Sequence, residues 1–224
     1  MKTSVTEKLV NHLESFLTER RKANNHKVLA KRSYHFTVAI EDVYQLHNTS
    51  AVMRSCDVFG VQDVHVIEER NVRTIDREIA MGAQKWVDVH RYHTTKDCVT
   101  SLKEKGYQIV ATSPHGNNCV TLAEFDISKP SVFFFGKEDT GLSDYVLDQS
   151  DVQLMIPMVG FTESLNISVS AAIILQHVTQ QLRQSNIDWK FTDAQLLAKR
   201  YDWVCKVIKS HEKITERFNE ENNL

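Results

Sequence analysis

The sequence predicts an α/β fold: a mostly parallel sheet with helices on both faces, carrying helical extensions at its N- and C-terminal ends. Three observations lead there. From residue 36 to residue 184, short apolar runs of strand character alternate with longer stretches of helical periodicity, the pattern of a parallel sheet covered by helices. One run, SVFFF at 131–135, is almost wholly apolar, as a central strand buried on both faces requires. Glycine and proline are sparse, 7 and 3 in 224 residues, so regular elements should be joined by short connections.

Taken in order, Val5, Leu9, Leu13 and Phe16 recur at spacings of four, four and three, which places them on one face of an N-terminal helix. The polar run RRKANNHK at 20–27 reads as a loop. FTVAI (36–40) reads as a strand, 48–60 as a helix, VHVI (64–67) as a strand and 74–81 as a short helix. WVDVHRY (86–92) alternates as a strand does. Residues 95–105 are helical up to Gly106, and YQIVAT (107–112) is a strand. SVFFF and VQLMIPM (152–158) are further strands, and a long helix spans about 165–184. Beyond Asn186, Leu197, Tyr201, Val204 and Ile208 mark one more helix over 192–218. The expected organisation is an extension at 1–35, a central domain at 36–185 and a second helical extension at 186–224.

Composition narrows the function. Hydrophobic residues are 42% and charged residues 25%, as in an ordinary globular protein rather than a disordered one. No apolar run approaches the roughly 20 residues that span a bilayer, and the first residues hold no secretory signal. Four cysteines without any C-x-x-C pair fit a reducing, cytoplasmic setting. Charge is unevenly spread. Residues 1–35 hold eight Lys/Arg against three Asp/Glu, whereas 36–185 hold twelve against nineteen. Two readings of the basic arm, with Arg20, Arg21 and Lys22 at its centre, stay open: a solvated surface, or a device that contacts phosphate.

The usual catalytic motifs are missing. There is no G-x-G-x-x-G, no H-E-x-x-H, no G-x-S-x-G and no metal-ligand spacing. Gly136 and Gly141 have P-loop spacing, but Leu142-Ser143 follows, and the lysine that would reach the phosphates is missing. Ligands of open parallel sheets gather beyond the carboxyl ends of the strands. Three such ends stand out: Thr112-Ser113-Pro114, Gly136-Lys137-Glu138, and Ile156-Pro157-Met158-Val159-Gly160. They converge only if their strands are neighbours. Asn48 is suited to cap the helix that carries Arg54, and Ser164 to cap the helix that carries Asn166. Small polar residues at such a position present side chains and N–H groups to a ligand.

Three ordered segments carry a resemblance. Asn48, Ala51, Arg54 and Gly60 match N-x-x-A-x-x-R-x-x-x-x-x-G. Gly136, Glu138 and Gly141 match G-x-E-x-x-G, and 156–169 match I-P-M-x-G-x-x-x-S-L-N-[VI]-S-V. Ser170 stands where alanine is usual. Over about 36–184 the chain resembles the SpoU/TrmH family of the SPOUT superfamily of RNA 2′-O-methyltransferases, and within it the tRNA (guanosine-2′-O)-methyltransferase branch. The resemblance implies a C-terminal trefoil knot, a homodimer with the active site at its interface, S-adenosylmethionine as cofactor, and no metal. It implies a tRNA substrate, modified at the D-loop guanosine of position 18; ribosomal RNA is the alternative, and a non-catalytic RNA-binding role a further one. Carried over by position, Thr112, Gly136, Ile156 and Leu165 form the cofactor pocket. Arg54 is the catalytic arginine, Asn48, Glu138, Ser164 and Asn166 fall on the remaining motif positions, and His47 is placed to contact RNA.

Overall fold

The computed structural model describes residues 5–43, 46–68, 82–113, 119–137 and 139–222. The expected helix at 74–81 and the candidate Glu138 lie outside these residues. The chain divides into two compact units, residues 33–189 and residues 1–32 together with 190–224.

The larger unit is built on a seven-stranded sheet in which every pairing is parallel. Its strands are β1 (Phe36–Glu41), β2 (Asp63–Ile67), β3 (Asp88–Tyr92), β4 (Gln108–Thr112), β5 (Val120–Thr121), β6 (Ser131–Phe135) and β7 (Val152–Met155). Their order is β3-β2-β1-β6-β4-β7-β5. The chain runs outward from β1 to β3, then returns to build the other half, so the order reverses around β6. SVFFF is β6, lies between β1 and β4, and is buried at every residue.

Strand alternation divides the interior into two cores. Phe36, Val38, Ile40, Phe133 and Phe135 face one side, with Val52 and Cys56 of α3 (Leu46–Phe59) and Ala171, Ile174 and Val178 of α6 (Ile167–Gln184). Ala39, Val132 and Phe134 face the other, with Cys98, Val99 and Leu102 of α4 (Thr95–Glu104) and Val146 of α5 (Asp144–Gln149). A sheet covered on both faces explains why its central strands are apolar on both sides.

The strand at 152–158 ends earlier than expected, at Met155, two residues before Pro157, which has no N–H to donate. α6 begins at Ile167 and not near 165. Asn166, rather than Ser164, is its cap: the Asn166 Oδ1 accepts from the Ser168 N at 2.9 Å. α5 and the two-residue β5 were not foreseen. Both are too short to show a period.

The smaller unit contains α1 (Glu7–Glu14), α2 (Glu19–Leu29), α7 (Asp193–Val207) and α8 (His211–Glu221). Leu9, Leu13, Val204 and Phe218 form its core. Phe16 does not join them; α1 ends at Glu14 and leaves it 56% exposed. The run expected as a loop at 20–27 is helical. The Thr18 hydroxyl accepts from the Arg21 N, Glu19 lies in the first turn and His26 and Lys27 in the last, each complementing the helix dipole. Polarity hid this helix because only Asn25 and Leu29 of it are buried. The single helix expected over 192–218 is two, interrupted at 208–210, where Ile208 is extended and closes α7. Arg200 reaches across to Glu7 at 2.6 Å, Asn11 at 2.7 Å and Glu14 at 2.9 Å. Burial alone would raise the Glu14 pKa; hydrogen bonds from Arg200 and His26 outweigh it and hold that carboxyl below its usual value.

His65 on β2 gives the larger unit an acid-sensitive point. It is 1% exposed, stacks on His90 with ring centroids 4.9 Å apart, and neither ring nitrogen has a hydrogen-bond partner among the described residues. Burial, with charge repulsion from His90 and Lys105 adding to it, pushes its pKa down to about 3, against 6.5 for a free histidine. Between those values the unfolded chain binds the extra proton, so this contribution is fully present above 6.5 and is lost as pH falls. The slope reaches about 1.4 kcal/mol per pH unit. Urea unfolding from about pH 7 to about pH 4.5 should show this decline, and His65→Phe should flatten it. Equal slopes for the two proteins would place the acid sensitivity elsewhere.

Candidate functional site

β6, β4 and β7 are adjacent, so the three conspicuous strand ends meet. Beyond their carboxyl ends lies a cavity of about 620 Å³. Thr112 and Ser113 enter from β4, Phe135 and Gly136 from β6, Leu154 and Ile156 from β7, and Ser164, Leu165 and Asn166 from the segment that leads into α6. Ile174 of α6 and Leu142 close the apolar part. All four residues assigned by resemblance to the cofactor, Thr112, Gly136, Ile156 and Leu165, therefore share one cavity. The Thr112 hydroxyl donates to the Phe134 carbonyl at 2.7 Å, which ties the end of β4 to β6 and occupies that hydroxyl within the sheet.

The turn after β6 is shaped by two glycines. The Lys137 N donates to the Gly141 carbonyl at 2.9 Å and the Gly141 N to the Lys137 carbonyl at 3.0 Å, a two-residue antiparallel bridge. Gly141 closes it at φ +71°, in the left-handed region that favours glycine. A Cβ at position 136 would overlap the Gly141 carbonyl and the Leu142 N. The backbone thus approaches itself too closely for any side chain at 136, and peptide groups line this wall of the cavity.

α3 begins at Leu46, so Asn48 lies within its first turn and does not cap it; there it meets Asn166 at the start of α6. The Asn166 Nδ2 donates to the Asn48 Oδ1 at 3.3 Å, and Asn48 is 2% exposed. The amide of Asn166 thus serves two helices at the rim of the cavity. His47, Ala51, Arg54 and Val58 recur at helical spacing on the face of α3 turned away from the buried Val52, Met53 and Cys56, and His47 and Arg54 are exposed. Arg54 does not line the cavity of its own chain. The structure thus gathers Thr112, Gly136, Ile156, Ser164, Leu165, Asn166 and, through Asn166, Asn48. It leaves Arg54 and His47 on a separate face, and Arg20, Arg21 and Lys22 belong to the smaller unit.

Lys137, Asp139, Thr140, Met158, Glu163 and Ser170 also line the cavity and were not singled out. They lie inside the two recognised segments, but no rule of spacing separates a lining side chain from its neighbour in irregular backbone. Of the cysteines, Cys98 is buried beneath this end of the sheet; burial, with Glu41 adding to it, pushes its thiol up to about 12, so it stays protonated and unreactive.

Residues 35–176 match the family model described as the SpoU rRNA Methylase family. The tRNA (guanosine(18)-2′-O)-methyltransferase of Borreliella burgdorferi is 36% identical over 95% of this chain and 97% of its own. The enzyme of the same name from Escherichia coli K12 is 35% identical over 72% and 70%. Among solved structures, the Aquifex aeolicus TrmH/SpoU tRNA modifying enzyme superposes with a TM-score of 0.75 at 29% identity, covering 85% of this chain and 98% of that one. The family match spans the turn after β6 and the entry to α6, the two segments that build the cavity, so the chain belongs to the SpoU rRNA methylase family.

Proposed function

We propose that this protein is an S-adenosylmethionine-dependent tRNA 2′-O-methyltransferase acting on the D-loop guanosine at position 18. The observation that carries the reading is the convergence of all four expected cofactor residues on one cavity at the carboxyl edge of the sheet. The cavity suits the cofactor. Its volume lies within the roughly 300–1,000 Å³ of small-molecule sites, its floor is apolar, and its wall at Gly136 is bare backbone that can hydrogen-bond an adenosine and an amino acid. The guanosine-18 assignment is supported by a relative that carries that activity in its name and matches 95% of this chain.

When bound, S-adenosylmethionine supplies an electrophilic methyl on a sulfonium and departs as a neutral thioether, so no leaving anion needs stabilising. The protein's task is alignment and management of the ribose hydroxyl. Alignment is the larger of the two, given the roughly 10⁵–10⁸ M effective molarities of well-oriented reactions. Asn166, locked by Ser168 and Asn48, is fixed at the cavity rim to orient a polar group. Arg54 holds a substrate phosphate and orients and polarises the 2′-hydroxyl, whose proton passes to solvent as the oxygen–methyl bond forms and the methyl–sulfur bond breaks. Its guanidinium, with a pKa above about 12, is a donor rather than a base, and a neighbouring phosphate favours the cation further. Ser164 sits on the same rim, and Glu138 completes the set of motif positions.

Arg54 stands outside its own cavity, which is consistent with the homodimer implied by the resemblance. Val58 beside it and Val169 and Ile173 on α6 are 73%, 44% and 37% exposed, an apolar strip that a second copy would cover. The trefoil knot and the cytoplasmic location belong to the same proposal.

The basic arm supplies an RNA surface, though a different one from the three consecutive residues first considered. In a helix, Arg20 and Lys22 point about 200° apart. Arg20, Asn24 and Lys27 share an exposed face of α2, and Lys31 lies just beyond its end. Replacing Arg20, Lys27 and Lys31 by alanine should lower the slope of log K against log salt by roughly 2–3, since each lost phosphate contact removes about 0.7–0.9. Lys22→Ala should leave it nearly unchanged; an unchanged slope in the triple variant would return the arm to a solvated surface.

Competition for labelled methyl between tRNA and ribosomal RNA transcripts tests the substrate. Preferential labelling of tRNA supports the proposal. Preferential labelling of ribosomal RNA would keep the chemistry and move the substrate.

A further inference from the structure

We infer that Glu41 and Asp42, at the carboxyl end of β1, are positioning residues that hold the turn at 137–143 in its cofactor-binding shape. The inference rests on the methyltransferase reading above and assigns the control of its cavity to two residues outside the recognised motifs. Glu41 is 5% exposed. Its Oε1 accepts from the Thr95 hydroxyl at 2.7 Å and from the Ser143 hydroxyl at 2.7 Å, and its Oε2 accepts from the Ser143 N at 2.9 Å. Among the described residues these partners are hydroxyls and an amide, not a cation. A carboxyl group is costly to bury, and neutral donors alone make this a poor way to gain stability. What the arrangement gains is geometry. Ser143 both caps α5 and ends the turn that begins at Gly136, so Glu41 fixes the turn's exit to the central strand and, through Thr95, to α4.

Asp42 acts at the entrance of the same turn. It is also 5% exposed, and its carboxylate pairs with the Lys137 Nζ at 3.0 Å. It is the one non-glycine with positive φ among the described residues, at +52°. That conformation is unfavourable for an L side chain and persists where surrounding contacts over-determine it. Here it turns the chain so that successive residues, which would alternate across a strand, both reach one turn. Glu41 and Asp42 thus grip its two ends at Ser143 and Lys137; Gly141 between those grips, and Gly136 just before them, line the cavity. Glu41, Asp42 and Thr95 also border a second hollow lined by the same turn, whose Leu142 is seated in the core between the sheet and α4 and α5.

The test uses the full chain and S-adenosylmethionine as the titrant. Glu41→Gln keeps one oxygen for the Ser143 N but replaces the oxygen that accepts from both hydroxyls with an NH2 group, and Ser143→Ala removes the opposing hydroxyl. Glu41→Gln should raise the calorimetric Kd roughly tenfold, Ser143→Ala somewhat less, and the double variant no more than Glu41→Gln alone, as coupled partners require. Amide exchange of 137–143 in the ligand-free protein should quicken roughly tenfold in Glu41→Gln while α6 keeps its wild-type rates. KM for tRNA should be unchanged. An unaltered cofactor Kd with a lowered Tm would reduce Glu41 to a structural role and overturn the inference. If Glu41→Gln does not fold, Ser143→Ala and Asp42→Asn carry the same two measurements. If the wild type binds no cofactor, the methyltransferase reading fails instead, and the exchange rates still decide whether Glu41 holds the turn.

Discussion

Arg54→Ala is expected to lower methyl transfer to tRNA by roughly 10²–10⁴, the range for losing a group that acts on the proton or charge of the transition state. Fold and cofactor affinity should be preserved. Arg54 is exposed on α3 and lines no part of the cavity, so its removal leaves neither a void nor a gap in the cofactor wall. Calorimetry with S-adenosylmethionine should therefore give a wild-type Kd while turnover collapses. Arg54→Lys separates two roles. If the guanidinium were the base, the lower pKa of lysine would shift the alkaline limb of the rate profile towards neutrality. If Arg54 is a clamp and donor, the rate falls and the limb does not move. Mixing Arg54→Ala with an inactive Asn166→Ala variant is a test of the dimeric site. Recovered activity in the mixed dimer would mean that the arginine of one protomer serves the cavity of the other.

Gly136→Ala is expected to weaken cofactor binding, with Kd rising at least tenfold and stability falling by about 1–3 kcal/mol. The added Cβ meets the Gly141 carbonyl and the Leu142 N, which are backbone atoms and cannot swing aside. Relief requires opening the bridge between Lys137 and Gly141, and this bridge is one wall of the cavity. Gly141→Ala is the contrast. A Cβ there meets nothing within 4 Å, so its cost is the left-handed backbone alone, about 1–2 kcal/mol. A weaker effect at 136 than at 141, on either Kd or Tm, would contradict the packing described.

The sequence announced the sheet well because its strands are short and buried on both faces, as SVFFF at 131–135 shows. Elements whose identity depends on partners were harder to read. α2 looks like a loop because its surface is basic and only Asn25 and Leu29 are buried; capping by Thr18 and contact between His26 and Glu14 establish it. The interruption at 208–210 leaves the apolar spacing of Leu197 to Ile208 intact, so periodicity alone runs straight through it. The candidate site was legible as three segments. Their convergence was not, since it follows from β6 lying between β1 and β4, a long-range fact with no local trace. Gly136 could be recognised by motif, but the reason it must be glycine is its approach to Gly141. Glu41 and Asp42 carried one faint signal, acidic residues at the carboxyl end of a central strand.

The central claim is the reaction and its address. Unmodified tRNA transcript incubated with methyl-labelled S-adenosylmethionine, then cleaved in alkali, reports both, because a 2′-O-methylated linkage resists cleavage. The account predicts one protected position, the guanosine at 18 in the D-loop, absent with Arg54→Ala. Label incorporated into a base, or protection spread over many riboses, would contradict it.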